Sequence, residues 1–306
     1  MEQVAIKKPL QRKKKINFLE DFMKNLKLFV SLISIFAVVA LAAGCGNKTT
    51  AQVSETVPET TQAVAKKFIV GFDAEYPPYG YITESGTYEG FDLDLAQEFC
   101  NRKGYEFVAQ PIDWDSKDLE LNSGNIDCIW NGFTVTGREN DYTWTVPYVD
   151  NSIVLVVKAD SNINAKADLA GKVVMAQAGS SALTALEDES DEEIFALAKS
   201  FKSLEQCPDY NNGFMSLESG MVDCLAVDIG VAKYQLNNSK GVFKQLPENL
   251  SSEQYAIGFK KGNTALKDEV QSVVFDMYKD GTFMKIANKY SDFSLPDMVC
   301  LGEYVK

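Results

Sequence analysis

The chain has 306 residues, 45% hydrophobic and 24% charged, with a formal net charge of −13 and no histidine. That is the composition of a globular protein with room for one large domain or two lobes. The lack of histidine removes the commonest general base and the commonest metal ligand, and so weighs against most catalytic and zinc chemistry. The acidity speaks against nucleic acid or an anionic membrane surface as a partner.

The charge is unevenly placed. Residues 1–44 carry eight Lys/Arg against three Asp/Glu, a net +5, which leaves −18 on residues 45–306. Lys24 and Lys27 precede a 16-residue apolar run, Leu28 to Ala43, that ends in Leu41-Ala-Ala-Gly-Cys45. A basic segment, an apolar segment and small residues before a cut describe a secretory signal over 1–44. The run falls short of the roughly 20 residues a membrane span needs, although an uncleaved anchor is the alternative. Met23 would begin a signal of ordinary length, in which case residues 1–22 lie upstream of the start; otherwise they extend the basic region. From Gly46 to Ala65 the chain is rich in Thr, Gln, Glu, Ala and Val without periodicity, which reads as a flexible tether.

The body opens with a strand, Phe68–Phe72, that runs into Asp73-Ala-Glu-Tyr-Pro-Pro-Tyr79. A glycine turn at Gly90 starts an amphipathic helix with Phe91, Leu95 and Phe99 on one face. Tyr105–Ile112 is a second strand, closed by Asp113-Trp114-Asp115, and a short helix over 116–122 leads to a third, Ile126–Trp130. This rhythm predicts a parallel α/β sheet. Ser152–Lys158 is the most apolar strand and reads as a buried crossing between lobes. The rhythm then restarts: a strand at Lys172–Ala176, a helix opened by Gly179-Ser-Ser181, a strand at Phe201–Leu204, a helix at Asn212–Ser219, a strand at Val222–Val227 and a helix from Asp228 to Leu236. The acidic run Glu187–Glu193 reads as a solvated connection. Tyr255–Phe259 returns as a second crossing, followed by helices over 264–279 and 281–290. Two α/β lobes joined by two crossover strands imply a hinge and a cleft, with lobe 1 at 66–152 and 254–306 and lobe 2 at 153–253.

Ligands of open α/β sheets sit outside the carboxyl ends of strands, and the polar groups gather there. After Trp130 come Asn131, Gly132, Thr134 and Arg138: a backbone that can be approached closely, hydroxyl chemistry, and a planar guanidinium fork suited to a carboxylate. Ser180 and Ser181 open a helix whose free amides favour an anion. Asp228 is placed to meet an ammonium, with the Gly132 carbonyl and Thr134 hydroxyl beside it. Tyr76 and Trp114 offer flat apolar faces, and Asp73 a polar or cationic contact. Structural readings stand beside these. Tyr76 and Trp114 fit core aromatics, Asp228, Ser180 and Ser181 fit helix N-caps, and Asp73 fits a structural carboxylate.

The ordered set Asp73–Tyr79, Gly90-Phe-Asp-Leu-Asp-Leu95, Asp127–Thr136, Arg138 to Pro147-Tyr148, Asp168–Val174, Gly179–Ser181 and Val222-Asp223 through Asp228 resembles the polar amino acid solute-binding proteins of ATP-binding-cassette importers, over about residues 66–292. The resemblance implies an α/β, two-lobed type II periplasmic-binding-protein fold. It also implies a free amino acid ligand, polar or basic or else cystine, held by Asp73, Tyr76, Trp114, Asn131, Gly132, Thr134, Arg138, Gln177, Ser180, Ser181 and Asp228. In this scheme Tyr76 and Trp114 sandwich the side chain, Arg138 with Ser180 and Ser181 takes the carboxylate, and Asp228 takes the ammonium. Gln177 stands where some relatives have lysine, which bears on side-chain preference. One residue, Gly137, separates Thr136 from Arg138 where the family often has two. The ending Ala-Ala-Gly-Cys resembles a bacterial lipoprotein signal, with Cys45 lipidated and anchoring an extracytoplasmic, monomeric receptor near an ABC permease, although leucine is one place early for that pattern. No cofactor, metal or nucleic acid is expected. A dehydratase-like enzyme and an extracellular sensory module are the alternatives on the same fold. Of the five further cysteines, Cys207 and Cys224 lie at neighbouring lobe-2 strands and are the candidate disulfide.

Overall fold

Phe68, Val70 and Phe72 point into the core along β1 (Lys67–Phe72), which starts the described part of the protein. The computed structural model describes residues 65–306; the leader 1–44, Cys45 and the tether through residue 64 lie outside the described residues. After β1 a small antiparallel sheet forms from β2 (Glu75–Tyr76), β3 (Gly80–Ile82) and β4 (Tyr88–Glu89). Helix α1 (Phe91–Lys103) has Asp92 and Asp94 in its first turn and Arg102 and Lys103 in its last. Both pairs complement the helix dipole. β5 (Glu106–Pro111), α2 (Lys117–Ser123), β6 (Cys128–Ile129) and β7 (Tyr142–Trp144) follow.

The chain then crosses on β8 (Val149–Lys158). Its side chains alternate between two cores, with Val154 and Val156 on one face and Ile153, Leu155 and Val157 on the other. A strand buried on both faces explains its nearly unbroken apolar sequence. Beyond it lie β9 (Val173–Gln177), α3 (Ser181–Glu187), α4 (Glu192–Ser200) and β10 (Ser203–Cys207). Next come α5 (Tyr210–Ser219), capped by Asp209, then β11 (Cys224–Asp228), α6 (Ile229–Asn238) and β12 (Phe243–Gln245). The chain returns through β13 (Ser251–Tyr255) and β14 (Gly258–Lys260), and closes with α7 (Thr264–Lys279) and α8 (Thr282–Ala287).

Two larger sheets result. One has the order β5-β1-β6-β14-β7, the other β10-β9-β11-β8-β12 with β13 added beside β8. The expected parallel sheets are in fact mixed. β5, β1 and β6 run parallel, as do β10, β9 and β11, but β14 and β8 run against their neighbours. The reason is that β8 is one crossing and β14 follows directly on the other, β13, so each enters its sheet from the side of the other lobe. β8 and β13 pair with each other over five residues, from Ser251↔Ile153 to Tyr255↔Val149. The strand read at 201–204 is displaced to Ser203–Cys207, because Phe201 ends α4 instead.

The proposed Cys207–Cys224 disulfide is absent; Cys100, Cys128, Cys207, Cys224 and Cys300 are all free and buried. β9 runs between β10 and β11, so the two strands are second neighbours, roughly 9–10 Å apart. Their side chains also serve opposite faces, Cys207 one core and Cys224 the other. Neither relation permits a bridge.

Candidate ligand-binding site

The turn after β6 is built around Gly132. Its φ is +54°, and a Cβ there would stand 2.7 Å from Tyr76 Cε1 and 3.0 Å from the Tyr255 ring. Glycine is therefore required twice, by backbone sign and by space. Its N–H donates to Asp92 Oδ2 at 2.6 Å, so the acidic first turn of α1 holds the turn in place. Burial pushes the Asp92 carboxyl up to about 7. Asn131 sits behind: its Oδ1 accepts from the Asp73 N–H at 3.0 Å.

Gly137, at φ +79°, lets the chain turn immediately before Arg138, whose N–H closes the turn onto the Val135 carbonyl. The single-residue spacing thus still delivers the guanidinium to the cleft. There its Nη2 donates to the Gly179 carbonyl at 3.1 Å and its Nη1 to the Thr134 carbonyl at 3.4 Å, above the Phe133 ring. Lys117 Nζ donates to the same Gly179 carbonyl at 3.2 Å. Burial, with Arg138 nearby, lowers the Lys117 ammonium to about 8. Among the described residues neither cation forms an ion pair with a carboxylate.

Across the cleft, Asp228 ends β11 and is 3% exposed. It makes no N-cap bond to α6. Instead its Oδ1 accepts from Tyr255 OH at 2.5 Å and Asn151 Nδ2 at 2.8 Å, and its Oδ2 from Tyr210 OH at 2.9 Å. Three donors pin the carboxylate, and none of them carries a charge. Ser180 does cap its helix, through Leu183 N–H to Oγ at 3.1 Å, and its own N–H is taken by the Gln177 carbonyl at 3.2 Å. Ser181 is the first residue of α3, where a helix leaves the backbone N–H without an internal partner.

Tyr76, Trp114, Gly132, Thr134 and Arg138 from one side meet Gln177, Ser180, Ser181 and Asp228 from the other around one small cavity of about 10 Å³, roughly the room of a single water in this closed arrangement. The Tyr76 and Trp114 rings are parallel to within 7° with centroids 6.5 Å apart. With the rings parallel, that distance is the upper limit of the slot between their faces, slightly under the roughly 7 Å that a flat group in contact with both requires. Asp73 and Asn131, the other two expected residues, stand outside the lining. Asp73 is reached through Gln177, whose Nε2 donates to Asp73 Oδ2 at 2.6 Å and to the Pro208 carbonyl at 3.1 Å. Burial raises the Asp73 carboxyl to about 6. Beyond it and Trp114 opens a wider groove that also carries Glu75, Asp113, Asp115, Glu120 and Asp209.

Four residues of this constellation were not singled out from the sequence: Tyr210, which lines the cavity, and Asn151, Glu253 and Tyr255 behind it. Glu253 and Tyr255 are the inward positions of β13. A charged residue on the buried alternate of a crossing strand was the available signal.

The two α/β lobes, the antiparallel crossing pair and the enclosed cleft define a type II periplasmic-binding-protein fold. The chain belongs to the bacterial extracellular solute-binding proteins, family 3, whose model matches residues 68–293. It is 29% identical over 275 residues to the ABC transporter glutamine-binding protein GlnH of Bacillus subtilis, covering 86% of this chain and 97% of that one. It is 25% identical over 225 residues to the L-cystine-binding protein TcyJ of Escherichia coli, covering 72% and 81%. The structure of an ABC uptake transporter substrate-binding protein from Streptococcus pneumoniae with bound histidine superposes with a TM-score of 0.69 at 33% identity, covering 73% of this chain and 92% of that one.

Proposed function

We propose that the protein captures a free polar amino acid outside the cytoplasmic membrane and delivers it to an ABC permease, held near the bilayer through a lipidated Cys45. The observation that carries the ligand class is a pair of opposite charges facing one small cavity with no ionic partner of their own, Arg138 and Asp228. A buried carboxylate without a cation is costly unless something cationic joins it. An α-amino acid supplies both complements at once. In this reading Arg138 and the Ser181 amide take the α-carboxylate, while Asp228 and the Thr134 hydroxyl take the α-ammonium.

The side chain then lies between Tyr76 and Trp114 and points toward Gln177 and Asp73. Opened slightly, that slot suits a planar amide, guanidinium or imidazole end. The carboxylates of the outer groove disfavour an acidic one. In this reading the site binds without turnover, with Asp228 and Asp73 each held by hydrogen-bond donors of the protein. Titration calorimetry of the full-length protein with glutamine, arginine, histidine and cystine tests the reading. Arg138→Ala should weaken the favoured ligand by ~2 kcal/mol or more if that pair is desolvated, and Asp228→Ala should act similarly. Unchanged affinity in both variants would reject it.

A further inference from the structure

A second buried carboxylate sits directly behind the amine half of the cleft. Glu253, on β13, is 8% exposed, and its Oε1 collects three donors: Thr134 Oγ at 2.6 Å, Asn151 Nδ2 at 2.8 Å and Ser181 Oγ at 3.1 Å. Asn151 also donates to Asp228, so one neutral amide bridges two buried carboxylates. Among the described residues no lysine or arginine pairs with either.

A hydroxyl has one proton to give and two lone pairs with which to accept. With the Thr134 and Ser181 protons both committed to Glu253, their oxygens, 3.3 Å apart, are left as acceptors. Protonated on Oε2, which makes none of these bonds, Glu253 loses its charge and leaves Oε1 a weaker acceptor, so its hold on the two hydroxyl protons loosens. We propose that Glu253 is a positioning residue of the amine half: ionised, it orients the Thr134 and Ser181 hydroxyls to accept from the ligand's ammonium, and protonated, it releases them, so that ligand capture and proton release are linked. This rests on the amino acid reading above.

The surroundings give the direction of the linkage. Facing Glu253 are Asp228 from β11, Asn151 from β8, Thr134 from the turn after β6 and Ser181 from α3. Asp188 and Asp191, between α3 and α4, share a surface opening with it. The Arg138 guanidinium reaches the Thr134 carbonyl. Burial first, then the Asp228 charge, raises the Glu253 carboxyl to about 7. A bound ammonium favours the ionised form and lowers that value. Affinity therefore rises with pH through the region near 7, and binding just below it expels a proton.

The test uses the full-length protein and L-glutamine, which has no side-chain charge, at pH values from 5.5 to 8.5. Wild-type affinity should rise by about tenfold or more across this range, one decade for each unit the carboxyl is shifted on binding. Glu253→Gln should bind more weakly at pH 8 with a flat profile. Calorimetry of the wild type at pH 6.5 in two buffers of different ionisation enthalpy should register proton release, a readout that needs no variant to fold. A wild-type pH profile surviving in a folded Glu253→Gln, or no proton release, overturns the role of Glu253 and leaves the amino acid reading standing. If the wild type binds none of the common amino acids, both fall.

Discussion

At the scale of single residues, Gly132 carries the sharpest constraint. Its left-handed backbone and the 2.7 Å approach of the Tyr76 ring to any Cβ act together. Gly132→Ala should cost about 1–3 kcal/mol in thermal or denaturant unfolding and also displace Tyr76, so calorimetry should show affinity falling together with stability. Trp130-Asn-Gly-Phe-Thr was legible in the sequence as a wall of the cleft because glycine, hydroxyl and guanidinium fall within nine residues. Glu253 was not, because its partners Thr134, Asn151 and Ser181 are 119, 102 and 72 residues away. The pairing of β13 with β8 brings Asn151 to it, the bridge between Thr134 and Tyr255 brings Thr134, and the start of α3 brings Ser181. The disulfide expectation failed for the same kind of reason. Chain order places Cys207 and Cys224 at consecutive strands, whereas sheet order places β9 between them.

At the scale of elements, the first turn of α1 does two jobs. Asp92 complements the helix dipole and also fixes the Gly132 turn through its N–H. Its carboxyl is raised from 3.8 to about 7, chiefly by burial. A carboxyl whose folded pKa exceeds its unfolded value contributes most below the unfolded value, and that contribution is lost as pH rises through the folded one. The ligand-free protein should therefore lose stability between about pH 4 and 7 on account of this residue. Urea denaturation should show a shallower decline over that window in Asp92→Asn, which can still accept the Gly132 N–H through its amide oxygen. An unchanged slope would mean that Asp92 is not the group responsible. The helices and the β8 crossing were legible from periodicity and apolar runs; the return crossing, expected over Tyr255–Phe259, is instead β13, Ser251–Tyr255, whose polar sequence carries no apolar run. The antiparallel sense of β8 and β14 was not legible either, since alternation is blind to direction.

At the scale of the whole molecule, the cleft is drawn shut by polar contacts. Gln177 reaches Asp73, Arg138 and Lys117 both reach the Gly179 carbonyl, and Asn211 bonds to Glu75. Lys117 lines no part of the cavity; it acts through closure and through the Trp114 wall, whose carbonyl it holds at 3.3 Å and whose ring it overlies. Lys117→Met should weaken every ligand by a similar factor and raise the radius of gyration in small-angle scattering without ligand; selective loss of one amino acid would contradict this. The five buried thiols offer a further check. They should resist a disulfide-exchange reagent in the folded protein and react only on unfolding, and a reducing agent should leave the melting temperature unchanged.

The pairing of β8 with β13 also limits how the lobes can move. The two crossings are hydrogen-bonded to each other from Ser251↔Ile153 to Tyr255↔Val149. They are one ribbon rather than two separate links. A twisted two-stranded ribbon flexes across its face far more readily than it shears along its length, because shear breaks the ladder. The opening coordinate is therefore close to one-dimensional. Distance reporters placed at different points around the rim should relax with a single shared rate, and a substitution that stiffens the ribbon should slow ligand entry and ligand escape by the same factor, leaving the equilibrium affinity where it was.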